Sequence, residues 1–391
     1  MIPVPEARQL ILERCMPSRT EDVDLLAAIG MVLSSDVYSP IDTPPFDQSA
    51  VDGYAFSFSK WDQQSPLTIA GEVPAGHVVH EKMKAHQAVR IFTGAHVPAD
   101  MDTVVMQEKV EVHGIELHIR DPQLVRGSNV RLKGSQTKAG SLALAKGHLL
   151  TPASISFLAS LGIAIVQVYE LPRVRIIVTG KELVPSGAKL KAGMIYESNS
   201  AGLTAALKML GITPLSVEVI DDDEKAIMRA INRTIDADIL ILTGGASVGD
   251  YDFVPSALEK CGVQKVFHKV KQKPGKPFYF GVENQTLIFG LPGNPAAVLS
   301  CFYQYIRPVI ERFGGQPSSL NLMLPLADAY KKKAGLTHFL KGKVEDSKVV
   351  ILESQESYLM NSFAHANCLI ELEEDKESYA AGDVVKVLMI N

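Results

Sequence analysis

Cysteine is scarce in this 391-residue chain. Cys15, Cys261, Cys301 and Cys368 are scattered, and no two form a CxxC pair. That excludes a zinc ribbon or a thioredoxin-type redox motif. A disulfide framework is unneeded in a chain this long and apolar, so reduced, mostly buried thiols are expected. Positive charge is not in excess. Lys and Arg total 39 against 44 Asp and Glu, a net −5, which excludes a general nucleic-acid binder. Long hydrophobic runs are missing too. The longest, residues 155–166, is broken by Ser156, Ser160 and Gly162 and is too short to cross a bilayer. The first residues lack the basic start, apolar core and cleavage site of a signal peptide. A cytoplasmic, non-membrane protein is expected. There is no tandem repeat, low-complexity tract, Walker A motif or dinucleotide fingerprint. Six histidines (His77, His80, His86, His96, His113 and His118) cluster in sequence without zinc spacing, so exposed side chains are expected rather than a metal cluster.

What is present is a globular composition, 46% apolar, with length for two to three domains. Residues 5–13 and 21–33 read as helices. In the second, Thr20 precedes an acidic start, and Leu25, Leu26, Ile29 and Leu33 share a face. Three prolines at 40, 44 and 45 then force an extended segment and a domain boundary. Short alternating or β-branched runs from 54 to 133 indicate a small all-β domain. A helix follows at 152–161, with Pro152 in its first turn and Thr151 as cap. From 172, apolar strands alternate with helices, the pattern of a mostly parallel sheet covered on both faces. One of these helices is opened by Asp221-Asp222-Asp223-Glu224 and expected to run to 235. Residues 320–391 return to short strands, a second small β domain. The run Lys331-Lys332-Lys333 reads as a solvated linker or edge.

Ligands of open α/β sheets bind at the carboxyl ends of the strands. Three glycine-rich turns fall at such ends. The first, from Leu242 to Asp252, offers Gly244, Gly245 and Gly249 for close backbone approach. Ser247 adds a hydroxyl, and Asp250 and Asp252 are carboxylates suited to Mg²⁺. A plain strand-to-helix turn is the other reading. The second, Gln272-Lys273-Pro274-Gly275-Lys276-Pro277, fixes two lysines on a rigid base, suited to phosphate or another oxyanion; a solvated turn explains it equally well. The third, Pro292-Gly293-Asn294-Pro295, opens a helix whose N-terminus attracts anions, with Asn294 as cap and Pro295 as first helical residue. In the 44–55 stretch, Asp47 and Asp52 are turn formers or site carboxylates.

Seven segments, taken together, resemble the molybdopterin molybdenumtransferase (MoeA) family, whose relatives include the C-terminal region of gephyrin. They are PPFDQSAVDGYA (44–55), RIFTGAHVPADMDTVVMQE (90–108), VTGKELV (178–184), ESNSAGL (197–203), LTGGASVGDYDFV (242–254), KPGKPFYFG (273–281) and GLPGNPAAV (290–298). They occur in the family's order. The resemblance implies molybdenum insertion into adenylylated molybdopterin with release of AMP, the last step of molybdenum cofactor synthesis, using Mg²⁺ as cofactor and molybdate as substrate. It implies a three-layer α/β/α MogA-like molybdopterin-binding domain (1–20 and 171–318), a connecting domain (21–43 and 134–170), a small β domain (44–133) and a C-terminal β-barrel-like domain (319–391). A homodimer is implied, with a MogA-type adenylyltransferase and molybdoenzyme chaperones as further partners. The catalytic residues implied are Asp52, Thr93, Glu182 and Asp252, with Glu182 and Asp252 on the metal. Substrate-binding residues implied are Gly244, Gly245, Ser247, Gly249, Asp250, Lys273, Pro274, Gly275, Lys276, Pro292, Gly293, Asn294 and Pro295. Two segments depart from the family. Arg-x-x-Gly-Glu-Asp becomes Arg131-Leu132-Lys133-Gly134-Ser135-Gln136, and Thr-Gly-Asp-Glu becomes Thr179-Gly180-Lys181-Glu182. These lost acids leave a non-catalytic molybdopterin-binding or scaffold paralogue as the alternative.

Overall fold

A computed structural model describes residues 1–15, 19–78, 82–233, 236–244, 253–317 and 321–390. The chain divides into two compact units. One comprises Met1–Glu21, Gly30–Ser34 and Gln167–Asn391, the other Asp22–Ile29 and Ser35–Val166.

The second unit holds the expected small β structure. Its six-stranded sheet runs, in spatial order, Thr103–Met106, Gly53–Phe56, Gln87–Ile91, Leu67–Val73, Glu116–Ile119 and Val110–His113. Alternation divides its apolar residues into two clusters. Ala55, Val89, Ile91 and Val104 fall in one, and Phe56, Ala88, Val105 and Leu117 in the other. The helix Pro152–Ser160 forms as expected, and Thr151 Oγ1 accepts from Ser154 N at 3.2 Å.

The first unit contains two sheets. The first combines β1 (Val174–Thr179), β2 (Ser216–Ile220), β3 (Ile239–Thr243), β4 (Gln264–His268), β5 (Tyr279–Glu283) and β6 (Thr286–Leu291), in the order β2-β1-β3-β6-β5-β4. The β2, β1, β3 and β6 strands are parallel, while β5 and β4 are antiparallel additions. Ile239 to Thr243 are all buried because helices cover both faces. The edge strand β2 instead alternates, with Val217 and Val219 exposed. The second sheet runs β7 (Asn321–Pro325), β11 (Val384–Met389), β10 (Cys368–Leu372) and β8 (Thr337–Glu345), with β9 (Lys348–Ile351) also on β8. Gln272 and Lys273 join this sheet by pairing in parallel with Thr337 and His338. The loop after β4 therefore bridges the two sheets.

Four expectations are corrected. No helix spans 21–33. Thr20–Asp24 is a strand and a turn follows, ending in Gly30 at φ +77°. Leu25 N donates to Ala164 O at 2.8 Å rather than within a helix, and Leu26 is 79% exposed. Pairing with a distant segment overrode a local helical pattern. The helix opened by the acidic run ends at Ile231, not 235; residues 234–235 lie outside the described residues. The cysteines are all free thiols as expected, but only Cys301 and Cys368 are buried, Cys15 and Cys261 being half-buried. Burial pushes Cys301 and Cys368 up to about 12. Finally, Lys332 is not a solvated charge. Its Nζ donates to Leu336 O at 2.9 Å and Glu374 O at 3.0 Å. Among the described residues, no helix is long and apolar enough to cross a membrane.

Candidate functional site

The carboxyl ends of β1, β3 and β6 open into a cleft of about 780 Å³. The helix and strand termini around it explain its form. At the end of β3, Gly244 has φ +93°, and a Cβ there would stand 2.2 Å from Thr179 O. Only glycine allows the β3 end to lie against β1. Thr243, fully buried, donates from Oγ1 to Pro292 O at 3.0 Å and accepts from Asn199 Nδ2 at 3.0 Å. Asn199 Nδ2 also donates to Gly293 O at 2.9 Å. These bonds tie the Pro292–Pro295 turn and the helix Asn199–Met209 to the end of the sheet.

The 272–277 loop is braced from beneath. Gln272 is 1% exposed. Its Nε2 donates to Gly275 O at 3.0 Å and to Cys301 Sγ at 3.5 Å, and its Oε1 accepts from the Tyr305 hydroxyl. Gly275 has φ +85°, and an added Cβ would meet Cys301 Sγ at 2.5 Å. Lys273 and Lys276 project from this base, both exposed. Among the described residues, neither ammonium group has a hydrogen bond or ion pair. Two cations on a fixed support without anionic partners are suited to a phosphate or a tetrahedral oxyanion.

The cleft gathers most of the sequence-identified residues that are described. Glu182, Gly244, Lys273, Pro274, Gly275, Lys276, Pro292, Gly293, Asn294 and Pro295 all line it. Gly245, Ser247, Gly249, Asp250 and Asp252 lie outside the described residues. Asp52 and Thr93 belong to the other unit. They pair with each other, as Thr93 N and Oγ1 each donate to Asp52 Oδ1 at 2.8 Å. The backbone bond and then the hydroxyl bond hold the Asp52 carboxyl below its usual range. Asn294 needs a correction. It occupies the N-cap position but makes no capping bond; its Nδ2 donates to Ser357 Oγ at 2.8 Å instead.

Several lining residues were not identified from sequence. The acidic run at 221–224 divides in three. Asp223 caps its helix through Ala226 N, Glu224 pairs with Lys260 at 2.7 Å, and Asp222 lines the cleft. Asp222 Oδ1, Asn199 Oδ1 and Thr179 Oγ1 are buried atoms without a partner among the described residues, so the cleft holds unmet hydrogen-bonding capacity. The segment 197–203 carried part of the resemblance without a role for any residue. Its Glu197 accepts from Ser200 N at 2.8 Å, and Glu197 and Asn199 both line the cleft. Gln355, Ser357 and Tyr358 arrive from the second sheet, where no motif marks them.

The fit to Mg²⁺ rests on the donor set. Magnesium takes hard oxygen ligands and is commonly held by one or two carboxylates plus substrate phosphates. Glu182 and the unpartnered Asp222 oxygen supply such donors. Among the described residues no group of three or more His, Cys, Asp or Glu forms a self-sufficient metal site.

Comparison with known proteins places these features in a family. Residues 2–162 match the MoeA N-terminal region (domain I and II), 175–312 a probable molybdopterin binding domain, and 323–390 the MoeA C-terminal region (domain IV). The chain is 36% identical to the molybdopterin molybdenumtransferase of Haemophilus influenzae, covering 100% of this chain and 99% of that protein. It is 35% identical to that of a Nostoc species, over 95% of this chain and 84% of that protein. The molybdopterin biosynthesis moeA protein of Pyrococcus horikoshii superposes with a TM-score of 0.82 at 30% identity, with complete coverage of both chains. The match runs along the whole length and includes the sheet that carries the cleft, so this chain belongs to the MoeA family of molybdopterin molybdenumtransferases.

Proposed function

We propose that the chain inserts molybdenum from molybdate into adenylylated molybdopterin and releases AMP, the closing step of molybdenum cofactor synthesis. The observation that carries this reading is the pair of unpartnered cations, Lys273 and Lys276, on the braced loop at the sheet end. They bind the phosphate of the substrate or the incoming molybdate and offset its charge. The Pro292–Pro295 turn adds the free N–H groups of a helix start. Glu182, Asp222 and Asp252 are the residues that hold Mg²⁺ in this reading. When bound, the ion neutralises charge on the phosphoanhydride as it breaks. By the resemblance, Gly245, Ser247, Gly249 and Asp250 bind the same anionic substrate.

The wider reading has three further parts. The subunit divides into the four domains given by the resemblance. It works as a cytoplasmic homodimer, with Asp52 and Thr93 serving the reaction of a second copy. A MogA-type adenylyltransferase supplies its substrate and molybdoenzyme chaperones receive its product.

Purified protein mixed with adenylyl-molybdopterin, molybdate and Mg²⁺ is expected to release AMP and yield active cofactor. Pterin binding without AMP release would establish the non-catalytic alternative. That alternative is motivated by Ser135, Gln136 and Lys181, which stand where relatives carry acids and are all exposed here.

A further inference from the structure

Lysine is seldom buried, yet Lys341 is 3% exposed. It lies in β8, and its Nζ donates to Ser354 O at 2.6 Å, Leu359 O at 3.1 Å and Glu356 O at 3.3 Å. An ammonium has three N–H donors, and all three are spent on one loop. The same loop is fastened again at the same residue. Lys341 N donates to Gln355 Oε1 at 2.9 Å, and Gln355 Nε2 returns a bond to Lys341 O at 2.9 Å.

This loop forms one wall of the cleft through Ser357 and Tyr358. It also touches the start of the helix that follows the Pro292–Pro295 turn. Ser357 Oγ accepts from Asn294 Nδ2 at 2.8 Å, and Ser357 O accepts from Ala296 N at 3.1 Å. Lys341 therefore stands behind the loop, with the cleft in front. Burying an ammonium is unfavourable unless its donors are met. An apolar residue would serve the sheet equally well, so the cation at 341 is explained by the loop it gathers. Without it, three converging carbonyl dipoles lose their shared donor, and the loop has reason to turn them toward water.

We propose that Lys341 is a positioning residue for the reaction, holding loop 354–359 so that Ser357 and Tyr358 meet the substrate end bound by Lys273 and Lys276. This rests on the reading of the cleft as the substrate site.

The test compares Lys341→Met, which retains the stem and removes the donors, with Val349→Ala. Val349 is fully buried in the same sheet and makes none of the loop's side-chain contacts. Thermal unfolding, hydrogen exchange over 354–359 and the KM and kcat of AMP release are measured on full-length protein. Lys341→Met is expected to raise exchange in the loop and to raise KM about ten-fold, with kcat within about two-fold, the signature of lost uniform binding. Val349→Ala is expected to lose stability with KM unchanged. An unchanged KM in Lys341→Met, a raised KM without faster loop exchange, or an equal KM rise in Val349→Ala overturns the role. If Lys341→Met does not fold, Lys341→Gln, which keeps two donors, is expected to show the same changes in smaller degree; faster loop exchange with unchanged KM again overturns it. Wild-type protein that neither turns over nor binds the pterin sinks the cleft reading itself; if it binds without turnover, the pterin Kd replaces KM in the same comparison. Wild-type turnover with a wild-type KM in the variant sinks only the positioning role.

Discussion

Lys273 and Lys276 end in ammonium groups that touch no partner among the described residues, whereas the ammonium groups of Lys332 and Lys341 are engaged by backbone carbonyls. All four belong to the same unit. The difference lies in what surrounds them. The 272–277 loop satisfies its own polar groups through the buried Gln272 amide, leaving its lysines free for an external anion. The 354–359 loop supplies its own donor to only one of the three carbonyls, Leu359 N to Glu356 O at 3.2 Å, and recruits a buried cation. A lysine without a partner on a rigid base is available to substrate, and one with three carbonyl partners is part of the framework.

The largest effect that would break this contrast is at the free lysines. Replacing Lys273 and Lys276 together by Met is expected to lower kcat/KM for AMP release about a hundredfold or more, since each charged hydrogen bond contributes about 1.5–3 kcal/mol. Stability should stay within about 0.5 kcal/mol, as for ordinary surface changes. Full activity in the double variant would end the assignment of the loop.

Next comes the base of that loop. Gly275→Ala forces a side chain into a left-handed conformation and against Cys301 Sγ. It is expected to cost about 1–3 kcal/mol for the backbone alone, read by chemical denaturation, and to raise KM by displacing both lysines. Adding Cys301→Ala should recover only the part of the clash made with Sγ, since Gln272 Nε2 still stands 2.8 Å from the added Cβ.

An effect confined to acidic pH comes from His338, which pairs with Lys273 in register. Burial, with Lys332 and Lys273 adding to it, lowers His338 to about 4. Its unfolded value is about 6.5, so the unfolded chain takes up a proton that the fold refuses. Stability from this group is complete above about pH 6.5 and falls as pH drops toward 4, by at most about 1.4 kcal/mol per pH unit. His338→Gln should flatten the stability profile in that window, and an unchanged profile would remove His338 as its source. The smallest effect is expected from Asn294→Ala. With no capping bond to lose, the change should cost about 1 kcal/mol or less in thermal unfolding, and a loss near 2 kcal/mol would restore the helix-cap role.

Much of the site is legible in sequence because glycine and proline carry local conformational meaning. Lys273, Lys276 and the 292–295 turn were identifiable as strand-end features, and the structure brings them together with Glu182 and Gly244. Asp222 was hidden within an acidic run that read as a helix start, since nothing local distinguishes the carboxylate that turns into the cleft from the one that caps. Ser357 and Tyr358 were not legible at all. They sit more than 60 residues beyond Asn294 in the chain and reach it only through sheet packing. The segment 21–33 failed for a related reason, as its apolar spacing fits a helix but Leu25 N bonds to the distant Ala164 O, and the chain then closes a turn on Asp24 O.

The sequence by itself determined the succession of β, α/β and β regions, the lysine loop and the anion-binding turns. Each depends on residues close together in the chain, whose periodicity and backbone restrictions act locally. Only the tertiary structure decided which charges are free and which are spent. The hydrogen-bond partners of Gln272, Asn294, Lys332 and Lys341 include groups tens of residues away, or loops whose form no local pattern encodes.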